Sequence, residues 1–367
     1  MNVLDVVFVI GGLSLLVGGG EALVRGASTL AVRAGISPLV IGLVVVSFAT
    51  SAPELAVSVG AVISGEPDLA VGNVVGSNIA NILLVLGISA VICPLVIKRQ
   101  LVKFDIPVMV AISVVFLLVS LDGRISLIDG VLLVGVLVIH AVMSIVLGKK
   151  DASAPSLEEN SLPFNTKPVP LWLAALLLLA GIGLLVLGAQ LLVTGAVSIA
   201  TAFGVSSLVI GLTVVAIGTS LPELATSIVA LRKGETDMAV GNIVGSNIFN
   251  IGLVLGVPAI IFGDGIPVPD AAIAIDIPLM LAAAIALLPI AFTGFIVARW
   301  EGALFVSLYV AYTLYLVLDS TQHDATDGFT TIMLWFVLPL VGIILIAMAS
   351  YEVGILKKRK SPLPTNV

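Results

Sequence analysis

The chain carries a long internal repeat, and this repeat constrains the fold more than any other feature. Residues 36–87 and 205–256 align without a gap at an offset of 169 and are identical at 34 of 52 positions. The similarity extends upstream, where residues 11–27 match 180–196, and downstream, where "DIPVM" at 105 matches "DIPLM" at 276. The sequence therefore predicts two copies of one unit, residues 1–147 and 169–320, joined by a polar linker at 148–168.

Both copies consist of apolar runs that are long enough to cross a membrane. The chain is 59% hydrophobic and only 10% charged, with a mean hydropathy of +1.26, whereas soluble domains carry about 25% charged residues. A helix needs roughly 20 apolar residues to span a bilayer. We predict an all-α polytopic membrane protein with eleven spans, near 3–30, 37–63, 69–95, 105–121, 125–147, 169–199, 206–231, 238–262, 271–293, 296–318 and 330–350.

Each copy holds five of these spans, and an odd number inserts the second copy upside down. Such an inverted repeat is typical of secondary transporters. The eleventh span has no mate in the repeat, so residues 321–367 are predicted to form an extra transmembrane helix followed by a basic tail.

Positive charges indicate the orientation, because cytoplasmic loops carry an excess of Lys and Arg. Fifteen of the sixteen basic residues follow odd-numbered spans, and only Arg124 does not. We therefore expect a multi-pass protein of the plasma membrane with its N-terminus outside and its C-terminus in the cytoplasm. The tail sequence "KKRK" at 357–360 is interpreted as a positive-inside anchor and not as a nucleic-acid patch,.

The most similar segments of the two copies also hold the polar residues. Pro53 and Pro222 lack the amide that would bond four residues back, so they free the carbonyls of Ala49 and Gly218. No Lys or Arg lies in these helices to pair with the glutamates, which leaves a cation, a proton or each other. The candidate site residues are Thr50, Ser51, Pro53, Glu54, Asn73, Ser77 and Asn81 in the first copy, and Thr219, Ser220, Pro222, Glu223, Asn242, Ser246 and Asn250 in the second.

Two inverted halves would bring these bends together near the midplane of the bilayer, where the ligands are all oxygens. Calcium takes about 6 to 8 oxygen ligands in flexible geometry, whereas magnesium demands a stricter octahedron. The pattern therefore favours a calcium site over a magnesium site.

The paired motifs "TSAPELAVSVGAVISGEPDLAVGNVVGSNIANILLVLG" and "TSLPELATSIVALRKGETDMAVGNIVGSNIFNIGLVLG" closely resemble the two alpha-repeats of the sodium/calcium exchanger family. The resemblance covers residues 1 to about 320. It implies ten helices around a central site and exchange of about three sodium ions for one calcium ion, with alternating access by sliding of the first and sixth helices. It assigns calcium to Glu54, Glu223 and the carbonyls of Thr50 and Thr219, and sodium to Ser51, Ser77, Ser220 and Ser246, with Asn81 and Asn250 near the middle.

The same interpretation adds the freed carbonyls of Ala49 and Gly218, and both glutamates, as sodium ligands. No cofactor is expected beyond the transported Ca²⁺ and Na⁺, no enzymatic activity is expected, and a monomer should suffice. In the potassium-dependent branch of the superfamily an aspartate replaces the second of the two central asparagines. Because Asn81 and Asn250 are both amides here, we expect potassium independence.

Other interpretations stay open at this stage. Two glutamates could carry protons as well, so a proton/calcium antiporter is the closest rival, and a cation channel or an intramembrane protease is less favoured. The glutamates could form a structural carboxyl pair, the Thr and Ser hydroxyls could bond to their own helices, and Asn73 and Asn242 could simply join helices. His140 is expected to be a core residue.

Overall fold

The computed structural model describes residues 3–152, 169–204, 213–214, 216–263 and 265–360. Ten of its helices are long and apolar enough to cross a membrane. With the described part of the seventh span, they are α1 Val3–Ala34, α2 Pro38–Ile63, α3 Leu69–Ile92, α4 Leu101–Ser120, α5 Leu127–Gly148, α6 Leu171–Ala202, α7 Ala216–Thr219 with Leu221–Arg232, α8 Thr236–Ile261, α9 Ala272–Phe292, α10 Arg299–Ser320 and α11 Thr326–Met348.

This architecture confirms the predicted all-α membrane fold. The span predicted near 206–231 falls partly outside the described residues, and α7 is its described portion. The helix of α5 continues to Ala152, so the predicted linker begins inside its last turn, and the rest of the linker lies outside the described residues. The last helix starts four residues earlier than predicted, and its helical backbone continues to Lys360.

Four two-residue strands were not predicted. The strands β1 (Leu95–Val96) and β4 (Ile296–Val297) pair antiparallel, as do β2 (Arg124–Ile125) and β3 (Ile266–Pro267). Each pair joins a helix connection of one repeat to a connection of the other. Strands this short show no alternation of apolar residues, so the sequence pattern cannot reveal them.

Helices α1 and α6 pack along their whole length through glycines spaced seven residues apart. They are Gly12, Gly19 and Gly26 in α1, and Gly181, Gly188 and Gly195 in α6. A Cβ atom added at Gly19 would lie 2.8 Å from the backbone nitrogen of Leu185, and one at Gly188 would lie 2.9 Å from the carbonyl oxygen of Gly12. The missing side chains let the two backbones approach closely, as small residues do in other membrane helices.

The motif helices form the centre of the protein. Helix α8 is the most buried of the spans, and α3 follows it. Their buried side chains form one core with residues from α4, α5, α9 and α10. The polar motifs are therefore surrounded by protein and not by lipid.

Candidate ion-binding centre

Both predicted helix interruptions are present, and each one places a glutamate at the start of a new helical segment. In α2 one segment ends at Thr50 and the next begins at Ala52, with Ser51 between them at ψ −2°. In α7 the break falls at Ser220, at ψ 4°. A proline in the first turn of each new segment explains the break, because it lacks the amide that would continue the preceding helix. Free backbone amides at such a segment start favour a nearby negative charge.

Glu54 and Glu223 are buried carboxylates in this centre. They are 1% and 0% exposed, and none of their four carboxylate oxygens has a hydrogen-bond partner in the part of the chain that the structure describes. The two carboxylates are close enough to repel each other. A charged Asp, Lys or Arg at the centre of a membrane helix costs about 2.5 to 3.5 kcal/mol. The arrangement therefore requires bound cations or protons.

Thr50 connects the two repeats beside the carboxylates. Its hydroxyl donates to Oδ1 of Asn242 at 3.2 Å and lies 3.3 Å from Oγ of Ser246. The same side chain approaches the Glu223 carboxylate. Ser47, one turn earlier in α2, donates to the backbone carbonyl of Asn242 at 2.9 Å. The first segment of α2 is thus fastened to α8 across the boundary between the repeats.

Three of the four serines predicted to bind sodium have hydroxyls without a partner in the described part of the chain. Ser51, Ser77 and Ser220 are at most 2% exposed, and their Oγ atoms make no hydrogen bond among the described residues. A buried hydroxyl without a partner loses its hydrogen bonds to water and gains no hydrogen bond in the protein. Bound cations would satisfy these oxygens, and the fourth serine, Ser246, already contacts Thr50.

The four predicted asparagines have different surroundings. Asn81 is 1% exposed and neither of its amide atoms has a partner among the described residues, whereas Asn250 donates its Nδ2 to another asparagine. Asn242 accepts the hydroxyl of Thr50. Asn73 lies at the edge, is only half-buried, and donates to the backbone carbonyl of Glu54 at 3.1 Å. Asn73 therefore braces the segment that carries the glutamate, as expected for a residue that joins helices.

Sequence reasoning did not single out Asn78, its repeat mate Asn247 or Ser47. Asn78 accepts from Asn250 and donates to the carbonyl of Asn247. The first two could have been found, because "GSNI" is identical in both copies. Ser47 gave no such signal, since the second copy has Ala216 at that position.

A cavity of about 480 Å³ lies beside this centre and is lined by both helix-breaking prolines, Pro53 and Pro222. It separates the second segment of α2 from α6 and extends to α7. Gly218 and Thr219, whose carbonyls are predicted ligands, stand at its end. Its walls are formed by Pro53, Ala56 and Val57 of α2, by Val186, Ala189, Gln190, Val193 and Thr194 of α6, and by Gly218, Thr219 and Pro222 of α7.

Comparisons with known proteins show similarity in both sequence and fold. A family model described as "Sodium/calcium exchanger protein" matches residues 4–146 and 173–318. The sodium/calcium exchanger MaX1 of Methanosarcina acetivorans is 30% identical over 338 residues, covering 83% of this chain and 96% of that protein. The inner membrane protein YrbG of Escherichia coli is 39% identical over 252 residues, covering 68% of this chain and 78% of its own length.

A solved structure of the sodium-calcium exchanger NCX_Mj shares the fold. It aligns with a TM-score of 0.71 at 33% sequence identity, covering 84% of this chain and 97% of that one. The same exchanger in the absence of sodium and calcium aligns with a TM-score of 0.72.

Proposed function

The chain belongs to the sodium/calcium exchanger family, a family of membrane antiporters, and on this premise we propose that it exchanges sodium for calcium across the plasma membrane. About three sodium ions would move against one calcium ion, without potassium. One observation carries the proposal above all others. Two repeat-related carboxylates, Glu54 and Glu223, are buried in the protein interior, and none of their oxygens has a hydrogen-bond partner among the described residues.

The surrounding atoms favour hard cations. The site offers carboxylate, hydroxyl, amide and backbone oxygens, which are the ligands that calcium prefers. Two carboxylates neutralise one calcium ion but leave one positive charge when three sodium ions are bound. Transport by this centre should therefore move net charge.

The predicted ligands divide into two groups. We assign calcium to Glu54 and Glu223 with the Thr50 and Thr219 carbonyls. Sodium takes Ser51, Ser77, Ser220 and Ser246, together with the Ala49 and Gly218 carbonyls and the shared glutamates. The unpartnered hydroxyls of three of these serines support the assignment. Asn81 and Asn250 are neutral amides, so the centre holds no third carboxylate with which to attract potassium.

The cavity supports access from outside. It follows the second segment of α2, which leads to the connection between α2 and α3. The distribution of Lys and Arg supports an orientation with this connection outside the cell and the C-terminus in the cytoplasm. Since one chain supplies both halves of the centre, a monomer suffices.

Proteoliposomes loaded with sodium and diluted into sodium-free medium test this function. We expect uptake of external calcium that stops when a sodium ionophore removes the gradient, does not need potassium, and accelerates when the interior is made positive. The variants Glu54→Gln and Glu223→Gln should each abolish uptake. Glu66→Gln is a suitable control because Glu66 is exposed at the connection between α2 and α3.

A proton/calcium antiporter would give a different result. Its calcium uptake would ignore sodium and follow an imposed pH gradient, because the same two glutamates would carry protons. That outcome would overturn sodium coupling while leaving the site in place.

A further inference from the structure

Asn78 joins the motif helices of opposite repeats by hydrogen bonds at both ends of its amide. It lies in α3 and is 1% exposed. Its Nδ2 donates to the backbone carbonyl of Asn247 at 3.3 Å and lies 3.5 Å from Sδ of Met280. Its Oδ1 accepts from Nδ2 of Asn250 at 3.1 Å.

The acceptor at one end of this series of hydrogen bonds decides which way each amide group is oriented. A backbone carbonyl accepts but cannot donate, so it must face the NH₂ group of Asn78. The oxygen of Asn78 then faces Asn250, which must present its own NH₂ group in return. The oxygen of Asn250 is thereby turned to the opposite side, away from Asn78.

The oxygen turned away in this manner is buried in a segment that packs against the part of α2 carrying Glu54. Oδ1 of Asn250 is buried and has no hydrogen-bond partner among the described residues, like the carboxylate oxygens of Glu54 and Glu223. Asn250 begins a π-helical segment, Asn250–Leu255, that packs against the segment of α2 that carries Glu54. An oxygen here attracts a cation, whereas an NH₂ group would repel it.

The repeat mates of these residues lack the same arrangement. Asn247 corresponds to Asn78, but its Nδ2 donates to the carbonyl of Ile243 in its own helix at 2.7 Å. Asn81 corresponds to Asn250, and neither of its amide atoms has a partner among the described residues. Within the described part of the chain, hydrogen bonds therefore orient Asn250 but not Asn81.

We propose that Asn78 is a positioning residue, which fixes Asn250 with its oxygen toward the ion-binding centre and so makes Asn250 a preoriented cation ligand. The proposal rests on the proposed function, because it assumes that this centre binds calcium and sodium. Asn78 acts through Asn250 and does not touch the ion. Loss of residues that orient a metal ligand typically lowers metal affinity roughly 10- to 100-fold.

The test compares Asn78→Ala with Asn247→Ala, the matched change in the other repeat. Calcium affinity is measured by titration calorimetry on the purified protein. The calcium dependence of transport is measured as uptake into sodium-loaded proteoliposomes. We expect Asn78→Ala to weaken calcium affinity roughly tenfold or more, with a higher KM and a smaller change in maximal rate. Asn247→Ala should lose clearly less calcium affinity than the roughly tenfold expected of Asn78→Ala.

Repeating the change in an Asn250→Asp protein distinguishes a role in orienting residue 250 from a role in helix packing. In Asn250→Asp, residue 250 presents an oxygen in either orientation, so adding Asn78→Ala should cost little further affinity. Asn78→Ser keeps a hydroxyl that can bond the carbonyl of Asn247 but cannot reach Asn250. It should lose affinity like Asn78→Ala, and it replaces that variant if the alanine protein does not fold.

Equal losses in the two alanine variants, or a full loss from Asn78→Ala in the Asn250→Asp background, would overturn the proposal. Failure of the proposed function has a separate signature, because the parent protein itself would then show no sodium-driven uptake.

Discussion

The two repeats share their sequence pattern but differ in how each packs against the other. In one half of the membrane α1 lies directly against α7, where a Cβ atom added at Gly20 would be 3.5 Å from Cβ of Val229. In the other half, the repeat-related helices α6 and α2 are separated by the cavity between Ala189 and Ala56. At an offset of 169, Gly20 corresponds to Ala189, and Val229 to Gly60.

This difference in packing indicates how an inverted repeat can produce alternating access. Because the motif segments of the two halves are identical at 34 of 52 positions, we expect that either half is able to adopt the packing that the other shows. If the repeats exchanged conformations, α6 would close on α2 and α1 would separate from α7. The centre would then open to the opposite side of the membrane.

The largest effect is expected from locking the closed side with a disulfide. Gly20→Cys with Val229→Cys, made in a chain whose single cysteine Cys93 is replaced, would place the Cβ atoms at a distance suitable for a bond,. Oxidation should abolish exchange, and a reductant should restore it. Calcium should still reach the centre of the locked protein from the cavity side.

The complementary pair, Ala189→Cys with Gly60→Cys, tests the other conformation. It should react only in molecules that have exchanged conformations, and the bond should trap the centre open to the cytoplasm. Full transport by the oxidised Gly20–Val229 pair would contradict the expected exchange of conformations.

A smaller effect is expected from the glycine contacts between α1 and α6. Gly188→Ala would force the helices apart, since the new Cβ lies 2.9 Å from backbone atoms of α1. Overpacking typically costs about 1 to 3 kcal/mol. Gly19→Ala, its repeat mate, should be comparably destabilised in thermal unfolding in detergent.

The matched control is Gly183→Ala, also in α6, where a Cβ atom meets nothing within 4 Å. This change should only raise the helix propensity at position 183, which increases the stability by about 0.5 to 1 kcal/mol. Equal unfolding temperatures for Gly183→Ala and Gly188→Ala would show that the close approach is not needed.

The smallest effect concerns Glu235 and its repeat mate Glu66, which lie outside the membrane spans. Glu235 is 5% exposed, and burial, followed by the nearby Asp237, raises its pKa to about 7, while Lys98 and Lys233 oppose the shift. A raised pKa means that the folded protein favours the protonated form. This stabilisation is full below the ordinary value of 4.5 and is lost as the pH rises through 7,.

Glu235→Gln, which stays neutral, should therefore match the parent protein below about pH 4 and unfold at a higher temperature near pH 8. Glu66 is exposed, so Glu66→Gln should leave the pH dependence of unfolding unchanged. A variant Glu235→Gln that is less stable than the parent at pH 8 would show that the ionised carboxylate is needed there.

Much of the fold could be predicted because membrane spans and repeats leave strong signals in the sequence. Hydrophobic length identifies the helices, and the offset of 169 identifies their symmetry. The β1–β4 and β2–β3 pairs escaped prediction because each depends on backbone contacts between distant connections and not on a residue pattern. The glycines of α1 and α6 are visible in the sequence, but which helix they face is decided by packing.

The sequence supplied the candidate site residues but not their contacts. The glutamates stand out because ionisable residues are rare in membrane spans, and the prolines stand out because they interrupt a helix. The different roles of Asn78 and Asn247 could not be foreseen, since the two residues are identical in their motifs and differ only in their neighbours. His140, expected to be a core residue, is indeed buried, and its Nε2 lies 2.9 Å from Asp105.

The most direct test of a single centre shared by both repeats is calcium binding to the purified protein. Titration calorimetry should show one calcium ion per chain, and either Glu54→Gln or Glu223→Gln alone should eliminate that binding. If each single variant instead retained calcium binding at a reduced stoichiometry, each repeat would hold its own site, and the account of one shared centre would be wrong.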